Sequence, residues 1–240
     1  MQSLGDGPPV VLIHGLLVGS LAEWYFTLAP VLAEKQQVIL YDLRGHGRSE
    51  RCLDGYDLKS QRDDLESLLH ALDVSGPVDL VGHSWGALVA LHFCMAWPQR
   101  VRRLVLVEAP LPPTLMTDWR ALDHKDVADI VANLPEQLQS ALASGGRRSR
   151  KFLEGLQFLV TESSLMRDLA GEGDVTDQEL STIRLDTLCI FGQSSTCLPA
   201  GERLAAILPN ARLEVIEGGH FLPIEQPKVL SSLIGAFLHG

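Results

Sequence analysis

Short, continuous apolar runs alternate with longer segments of helical periodicity along most of the chain. Continuous apolar runs are typical of strands that are buried on both faces of a parallel sheet. They predict strands at Val10–Ile13, Gln37–Tyr41, Val78–Val81, Leu104–Val107, Thr187–Phe191 and Leu213–Ile216. The periodic segments predict helices at Leu21–Glu34, Leu58–Leu72, Ser84–Ala96, Ala200–Leu208 and Lys228–His239. This order predicts the α/β class, with a mostly parallel sheet and helices on both faces.

The pattern changes in the second half of the chain. Between Pro110 and Arg184 the strand signals disappear and helical periodicity takes over, as in Val127–Leu134 and Phe152–Val160. We interpret this segment as a small helical cap inserted over the C-terminal edge of the sheet. The predicted division is a core of residues 1–110 and 183–240 and an inserted cap of residues 111–182.

Residues 82–86 read Gly-His-Ser-Trp-Gly and lie between the predicted strand Val78–Val81 and the predicted helix Ser84–Ala96. A G-x-S-x-G pattern at such a junction predicts a nucleophile elbow, a tight turn that holds the serine hydroxyl clear of the sheet. The two glycines are needed because the strand and the helix approach the turn too closely for a Cβ. Ser84 is therefore the candidate nucleophile.

Ligands of parallel α/β sheets bind at the carboxyl ends of the strands, so the residues that follow each strand are candidates for the site. After the first predicted strand, Gly15 allows the backbone to turn and leaves the N–H of Leu16 free to face a substrate oxygen. With the N–H of Trp85 it would form an oxyanion hole, in which the loss of one donor costs about a hundredfold in rate or more. The alternative is a plain strand-to-helix turn.

His220 follows two glycines directly after the last predicted strand. From this position it can approach Ser84 as a general base, and it comes after the serine, as the chain order Ser, acid, His requires. The alternative is a loop histidine without a role.

These residues resemble the α/β-hydrolase-fold serine hydrolases over nearly the whole chain. The resemblance rests on the glycine turn after the first strand, the Asp42–Ser49 turn, the elbow, and Gly219-His220. It implies a triad of Ser84, His220 and an acid, and it implies no metal or cofactor. The Asp42–Ser49 turn is similar to a D-x-x-G-x-G-x-S turn that is mostly structural in the family, so we expect no catalytic role for it.

The chain departs from the family pattern at the acid. The family usually places an aspartate after the strand predicted at Thr187–Phe191, and here that position is Ser195. The best substitute is Glu108, which directly follows the strand Leu104–Val107 and resembles the acid of a subgroup of haloalkane dehalogenases. A carboxylate there would fix the tautomer of His220 and stabilise its imidazolium. The alternatives are a glutamate bonded only to nearby backbone or an arginine, and a Ser–His dyad with Ser195 or water in place of the acid.

A second departure concerns the N-terminus. The first predicted strand begins at Val10, too early for the family's two leading antiparallel strands, so we expect both to be missing. The strand Gln37–Tyr41 would then be a sheet edge, where unpaired backbone groups favour self-association unless they are covered. This edge is the basis for expecting a homodimer.

Composition excludes several classes of partner. The chain has 30 acidic and 20 basic residues and a net charge of −10, which argues against nucleic acid and anionic membranes. No apolar run approaches the roughly 20 residues of a membrane helix, and the N-terminus lacks the pattern of a signal peptide. The four cysteines are scattered without metal-binding spacing. We therefore expect a soluble cytoplasmic protein.

One segment runs against the net charge. Residues 145–151 read Gly-Gly-Arg-Arg-Ser-Arg-Lys, with four positive charges. A solvated loop and helix start explains such a cluster. The functional alternative is a contact for a phosphate-bearing acyl carrier, either coenzyme A or an acidic acyl-carrier protein.

The resulting hypothesis is a serine hydrolase that cleaves a carboxylic ester or thioester of a small-molecule acyl substrate. Ser84 would attack the carbonyl, His220 would accept its proton and later activate water, and the N–H groups of Leu16 and Trp85 would hold the oxyanion. The alternative is a catalytically impaired binder or sensor with the same pocket, and the position of the Glu108 carboxylate discriminates between the two. Apolar cap residues indicate either an apolar acyl group or packing of the cap itself: Leu111, Leu115, Met116, Trp119, Phe152, Phe158 and Leu159.

Overall fold

A computed structural model describes residues 1–112 and 127–240. Within these residues, seven strands form one sheet in the order β1-β3-β2-β4-β5-β6-β7. The strands are β1 (Gln2–Leu4), β2 (Pro9–Ile13), β3 (Gln37–Leu40), β4 (Val78–His83), β5 (Val101–Val107), β6 (Asp186–Gly192) and β7 (Ala211–Ile216). All neighbouring pairs are parallel except β1 and β3. The predicted α/β class and the six predicted strands are therefore confirmed.

Helices cover both faces of the sheet. Those in the described part of the chain are α1 (Ala22–Tyr25), α2 (Leu28–Leu32), α3 (Leu58–Ala71), α4 (Trp85–Ala96), α5 (Val127–Ala132), α6 (Glu136–Ala143), α7 (Arg147–Thr161), α8 (Leu165–Gly171), α9 (Asp177–Leu180), α10 (Leu198–Ile207), α11 (Leu222–Glu225) and α12 (Pro227–His239). None of these described helices is long and apolar enough to cross a membrane.

The expectation that both N-terminal strands are missing was wrong for one of them. β1 pairs antiparallel with β3, with Gln2 opposite Leu40, so β3 is not a sheet edge. β1 has only three residues, too few to show the alternation of a strand in the sequence. The turn from β1 into β2 depends on Gly5 and Gly7, whose φ angles are 71° and 121°. β1 therefore covers the edge of β3 from which self-association was predicted.

The predicted helix Leu21–Glu34 is instead two short helices, α1 and α2. Pro30 lies within α2 and has no N–H to donate to the carbonyl of Phe26, against which its ring would also clash in a continuous helix. The chain breaks at Thr27 and starts a new helix, in which Pro30 occupies the first turn. The apolar period alone did not show this break.

Strand residues alternate between two hydrophobic clusters, one on each face of the sheet. In β2, Val11 and Ile13 pack into the cluster that contains α3 and α4, whereas Val10 and Leu12 pack into the cluster that contains α2 and α12. Both faces exclude water, so each buried aliphatic side chain stabilises the fold by about 1.5–3 kcal/mol. This two-sided burial is why the strands are continuous apolar runs.

Helices α5 to α9 lie between β5 and β6 in the chain, in the segment predicted as a cap. The periodic segments Val127–Leu134 and Phe152–Val160 contain α5 and most of α7. The division into core and cap remains a prediction, because the stretch from 113 to 126 lies outside the described residues.

Candidate active site

The turn between β4 and α4 has the geometry of a nucleophile elbow. Ser84 has φ 52° and ψ −120°, a conformation that residues with a Cβ rarely adopt. A Cβ on Gly82 would lie 2.3 Å from the carbonyl oxygen of Gly86, and a Cβ on Gly86 would lie 2.5 Å from the carbonyl oxygen of His14. Only glycine therefore allows the strand, the helix and the loop after β2 to meet around Ser84.

His220 lies in the loop after β7, and its ring contacts the side chain of Ser84. Nε2 is 2.9 Å from Oγ of Ser84, although 136 positions separate the two residues. The preceding Gly218 has φ 133°, and the N–H of Gly219 donates to the carboxylate of Glu225. These two glycines turn the loop so that the imidazole points back over the sheet edge.

Glu108 follows β5, which lies between β4 and β6. Its carboxylate is fully buried, and Oε2 is 3.1 Å from Nδ1 of His220. The backbone is held in the left-handed region, with φ 54°, by a hydrogen bond from its N–H to the carbonyl of Ile190. The N–H of Gly192 donates to Oε1, so the neighbouring strand β6 holds both the backbone and the carboxylate of Glu108. The structure thus brings Ser84, His220 and Glu108 into one hydrogen-bonded series.

Ser195, the position of the family's usual aspartate, supports Glu108. Its hydroxyl donates to Oε2 of Glu108 and accepts from the N–H of Cys197 at 3.0 Å. The side chain at the usual acid position therefore contacts the carboxylate, and the carboxylate contacts His220.

The surroundings of His220 shift its pKa. Burial alone would lower this pKa because it disfavours the charged ring, but hydrogen bonds of Nδ1 with Cys197 and Glu108 outweigh burial. The pKa of His220 is therefore raised above its ordinary value. With the Nδ1 proton directed at Glu108, Nε2 presents a lone pair to the hydroxyl of Ser84.

The two predicted oxyanion donors are Leu16, in the loop after β2, and Trp85, the first residue of α4. Within residues 1–112 and 127–240, the N–H groups of Leu16 and Trp85 have no hydrogen-bond acceptor. The neighbouring N–H of Leu17 is taken, because it donates to Nε2 of His46 at 2.9 Å. Of the two successive N–H groups in this loop, only that of Leu16 is free to bind a substrate oxygen.

The Asp42–Ser49 turn braces the loop after β2, as expected for a structural motif. Nε2 of His14 accepts from the N–H of Leu43 at 2.9 Å, and Oδ1 of Asp42 accepts from the N–H of Leu21 at 2.8 Å. Burial lowers the pKa of His46 to about 3, so this ring is neutral and can accept from the loop backbone. The turn therefore positions the loop without contacting the serine.

A cavity of about 600 Å³ opens in front of Ser84 and His220. Ile130 of α5, Leu138 of α6 and Leu134 in the turn between them line its wall. The apolar cap residues named from the sequence lie elsewhere: the described ones, Leu111, Phe152, Phe158 and Leu159, pack with the sheet's hydrophobic cluster. Leu115, Met116 and Trp119 lie outside the described residues.

Sequence reasoning missed a second histidine–carboxylate pair in the cavity wall. Nδ1 of His83 is 3.0 Å from Oε1 of Glu23, and Nε2 is 2.9 Å from the carbonyl oxygen of His220. Burial by itself would lower the pKa of His83, but the charge and hydrogen bond of Glu23 outweigh it, and the pKa is raised. The only signal for this pair is that His83 adjoins the nucleophile, since 60 positions separate it from Glu23.

Cys197 was also missed as part of the site. Its side chain is buried, lines the cavity, and lies with Sγ 3.6 Å from Nδ1 of His220. From the sequence it is one of four scattered cysteines, and only the fold places it beside the histidine.

The basic segment 145–151 forms the start of α7, and its four charged side chains are exposed. None of them is among the described residues that line the cavity. A carrier contact there would therefore lie outside the pocket, on the surface of the protein.

Comparison with known proteins agrees with the fold. The family model described as the alpha/beta hydrolase fold matches residues 8–163. A 2-hydroxy-6-oxo-2,4-heptadienoate hydrolase of Pseudomonas putida is 30% identical over 270 residues, covering 99% of this chain and 91% of that protein. A non-heme chloroperoxidase of Streptomyces lividans is 30% identical over 97% of this chain and 92% of its own.

A solved structure gives the same result in three dimensions. A hydrolase from Pseudomonas aeruginosa PA01 superimposes with a TM-score of 0.80 at 25% identity, over 100% of this chain and 93% of that one. The chain therefore belongs to the alpha/beta hydrolase fold family of enzymes.

Proposed function

We propose that the protein is a serine hydrolase that cleaves a carboxylic ester or thioester through an acyl-enzyme on Ser84. The observation that carries this proposal is the continuous series from Ser84 Oγ to His220 Nε2 and from His220 Nδ1 to Glu108 Oε2, at 2.9 and 3.1 Å. A serine hydroxyl is activated when a base lies within hydrogen-bond distance of it and a third group orients that base.

The reaction follows from these contacts. Ser84 Oγ attacks the acyl carbonyl as its proton passes to Nε2 of His220, and the N–H groups of Leu16 and Trp85 stabilise the oxyanion. His220 then protonates the leaving alcohol or thiol. In the second half, His220 accepts a proton from water, which attacks the acyl-enzyme and releases the acid. Glu108 stabilises the imidazolium in both halves, which in related triads contributes about four orders of magnitude in rate.

The cavity supports a small acyl substrate. A space of about 600 Å³ suits a ligand of drug-like size or smaller. Its apolar wall from α5 and α6 favours an aliphatic or aromatic acyl chain, while Glu23 and Asn133 offer polar contacts. The breadth of chemistry among family members means that the bond cleaved has to be measured on this chain.

The alternative, an impaired binder that uses the same pocket, requires a histidine without an acid. The contact of Glu108 with Nδ1 of His220 is the observation that favours an enzyme over that alternative. A binder would leave Ser84 unreactive towards electrophiles, whereas a hydrolase would not.

Labelling by a fluorophosphonate probe tests the proposal, with Ser84→Ala as the matched control. We expect wild-type protein to be labelled stoichiometrically and to hydrolyse p-nitrophenyl esters, and we expect Ser84→Ala to do neither. A folded wild-type protein that is not labelled would reject the hydrolase and support the binder. Esters and thioesters of the same acyl chain, compared by kcat/KM, then select the leaving group.

We further propose that the exposed basic segment binds the phosphate groups of an acyl carrier. The charge reversal Arg147→Glu with Arg148→Glu should raise the KM for an acyl-coenzyme A and leave the KM for the corresponding simple thioester unchanged. Equal KM values for acyl-coenzyme A in variant and wild type would reject this contact and show that the basic segment is only a solvated start of a helix.

A further inference from the structure

Three side chains with different metal-binding atoms, one of them His220 itself, meet on the Nδ1 side of the His220 ring. Sγ of Cys197, Nδ1 of His220 and a carboxylate oxygen of Glu108 all lie within 4.8 Å of one another. They come from three separate segments, after β6, β7 and β5, so no sequence spacing relates them. We propose that this cluster is an inhibitory binding site for a thiophilic divalent cation of the Zn²⁺ class.

The separations fit the coordination that such a cation needs. Zn–S bonds of about 2.3 Å and Zn–N bonds of about 2.0–2.1 Å at a tetrahedral angle place the sulfur and nitrogen about 3.6 Å apart. The observed distance from Cys197 Sγ to His220 Nδ1 is 3.6 Å, and that from His220 Nδ1 to Glu108 Oε2 is 3.1 Å. Small side-chain rotations would therefore give three ligands, with the fourth position open to water.

Chemistry of the donors selects the metal. A thiolate, an imidazole and a carboxylate suit Zn²⁺ or Cd²⁺, whereas Mg²⁺ and Ca²⁺ prefer oxygen ligands alone. Thiolate and carboxylate together carry two negative charges, which balance a divalent ion in a site where Glu108 and Cys197 are almost completely buried. Entry is through the cavity, since Cys197 and His220 both line it.

Binding would stop proton transfer from the serine. The metal takes the lone pair of Nδ1, so the imidazole proton moves from Nδ1 to Nε2, and the thiol proton of Cys197 leaves to solvent. Nε2 then carries a proton and donates to Oγ of Ser84, so it cannot accept the serine proton. One cation bound and one proton released would convert the base of the proposed reaction into an inert hydrogen-bond donor.

Two measurements test this inference, one of which does not depend on catalysis. Co²⁺ added to metal-free protein carrying Ser84→Ala should produce the near-ultraviolet absorption of a cobalt–thiolate bond. The further substitution Cys197→Ser should abolish that band, whereas Cys52→Ser, at a free cysteine outside the cluster, should retain it. Absence of the band in the protein with all four cysteines would overturn the site, whatever the outcome for hydrolysis.

Inhibition is the second measurement, and it rests on the proposed function. Zn²⁺ should inhibit ester hydrolysis reversibly, with recovery on addition of a chelator. Loss of a partner that merely orients a metal ligand costs about tenfold or more in affinity, so Cys197→Ser should need at least that much more Zn²⁺. Each variant is compared with its own metal-free rate, and Cys197→Ala is used if the serine variant does not fold. Unchanged Zn²⁺ sensitivity in both Cys197 variants would reject inhibition at this site.

Discussion

Two histidine–carboxylate pairs lie next to Ser84, and the groups that each ring contacts give the pairs different chemistry. His220 lies between the carboxylate of Glu108 and the hydroxyl of Ser84. His83 lies between the carboxylate of Glu23 and a backbone carbonyl. A hydroxyl both donates and accepts, whereas a carboxylate and a carbonyl only accept.

This difference decides which ring can act as a base. Both nitrogens of His83 face acceptors, so the ring satisfies both only when it carries two protons, in agreement with its raised pKa. His220 can keep one nitrogen unprotonated towards Ser84. A histidine beside a carboxylate is therefore not by itself a general base, because the group on the other ring nitrogen determines its role.

Replacing each histidine in turn should give the largest difference in kcat between the two pairs. His220→Gln removes the proton acceptor and should lower kcat by about four to six orders of magnitude. His83→Gln disturbs the contacts with Glu23 and with the backbone carbonyl of His220 but leaves the proton acceptor in place, and it should cost no more than about a hundredfold. Steady-state hydrolysis of a p-nitrophenyl ester gives kcat for both variants. Comparable losses for the two variants would contradict the distinction.

The carboxylates should follow the same order with smaller effects. Glu108→Gln retains the shape of the side chain but removes the charge that stabilises the imidazolium, so kcat should fall by about three to four orders of magnitude. Glu23→Gln should lower kcat by about tenfold or less, through the position of His83 alone. Circular dichroism checks that both variants keep the fold. Near-wild-type activity in Glu108→Gln would remove this residue from the triad.

The pH dependence of hydrolysis should reflect the surroundings of His220. Its neutral form is the base, so kcat/KM should fall as the pH decreases through its raised pKa. Cys197→Ala removes one of the hydrogen bonds that raise this pKa, so the midpoint should move to lower pH. Rate profiles in matched buffers measure the midpoint, and a shift to higher pH would be the wrong sign.

The smallest expected effect is on stability and belongs to the second pair. The pKa of His83 is raised above its unfolded value of about 6.5, so the stabilisation is complete below that pH and is lost as the pH rises through the folded pKa. Glu23→Gln should therefore lower the free energy of unfolding more at about pH 6 than at about pH 9. Urea unfolding at the two pH values measures this difference, and equal losses at both would disprove the charged state of His83.

Local patterns were sufficient to predict the elements that position the site. The six strands of the parallel sheet and the elbow at 82–86 follow from continuous apolar runs and from glycines at fixed offsets. Strand adjacency then made Glu108 the best candidate for the acid, and the structure places its carboxylate beside His220. Their catalytic roles remain predictions until the variants are measured.

Three other features of the fold were not predicted from these patterns. The pairing of β1 with β3 depends on two left-handed glycines, and the break before α2 depends on Pro30 meeting the carbonyl of Phe26. The wall formed by Ile130 and Leu134 has the same helical period as packing residues, so periodicity does not distinguish the two.

The sequence by itself determined the class of fold, the position of the elbow with its candidate nucleophile Ser84, and a short list of groups that could act with it. Hydrophobic periodicity, glycine spacing and the order of residues along the chain can all be read directly from the sequence. Only the tertiary structure decided which atoms meet: Glu108 with Nδ1 of His220, Ser195 with Glu108, and Cys197 with the same ring. The reason is geometric, because β5, β6 and β7 end at one edge of the sheet and a hydrogen bond depends on ångström separations that sequence distance does not encode.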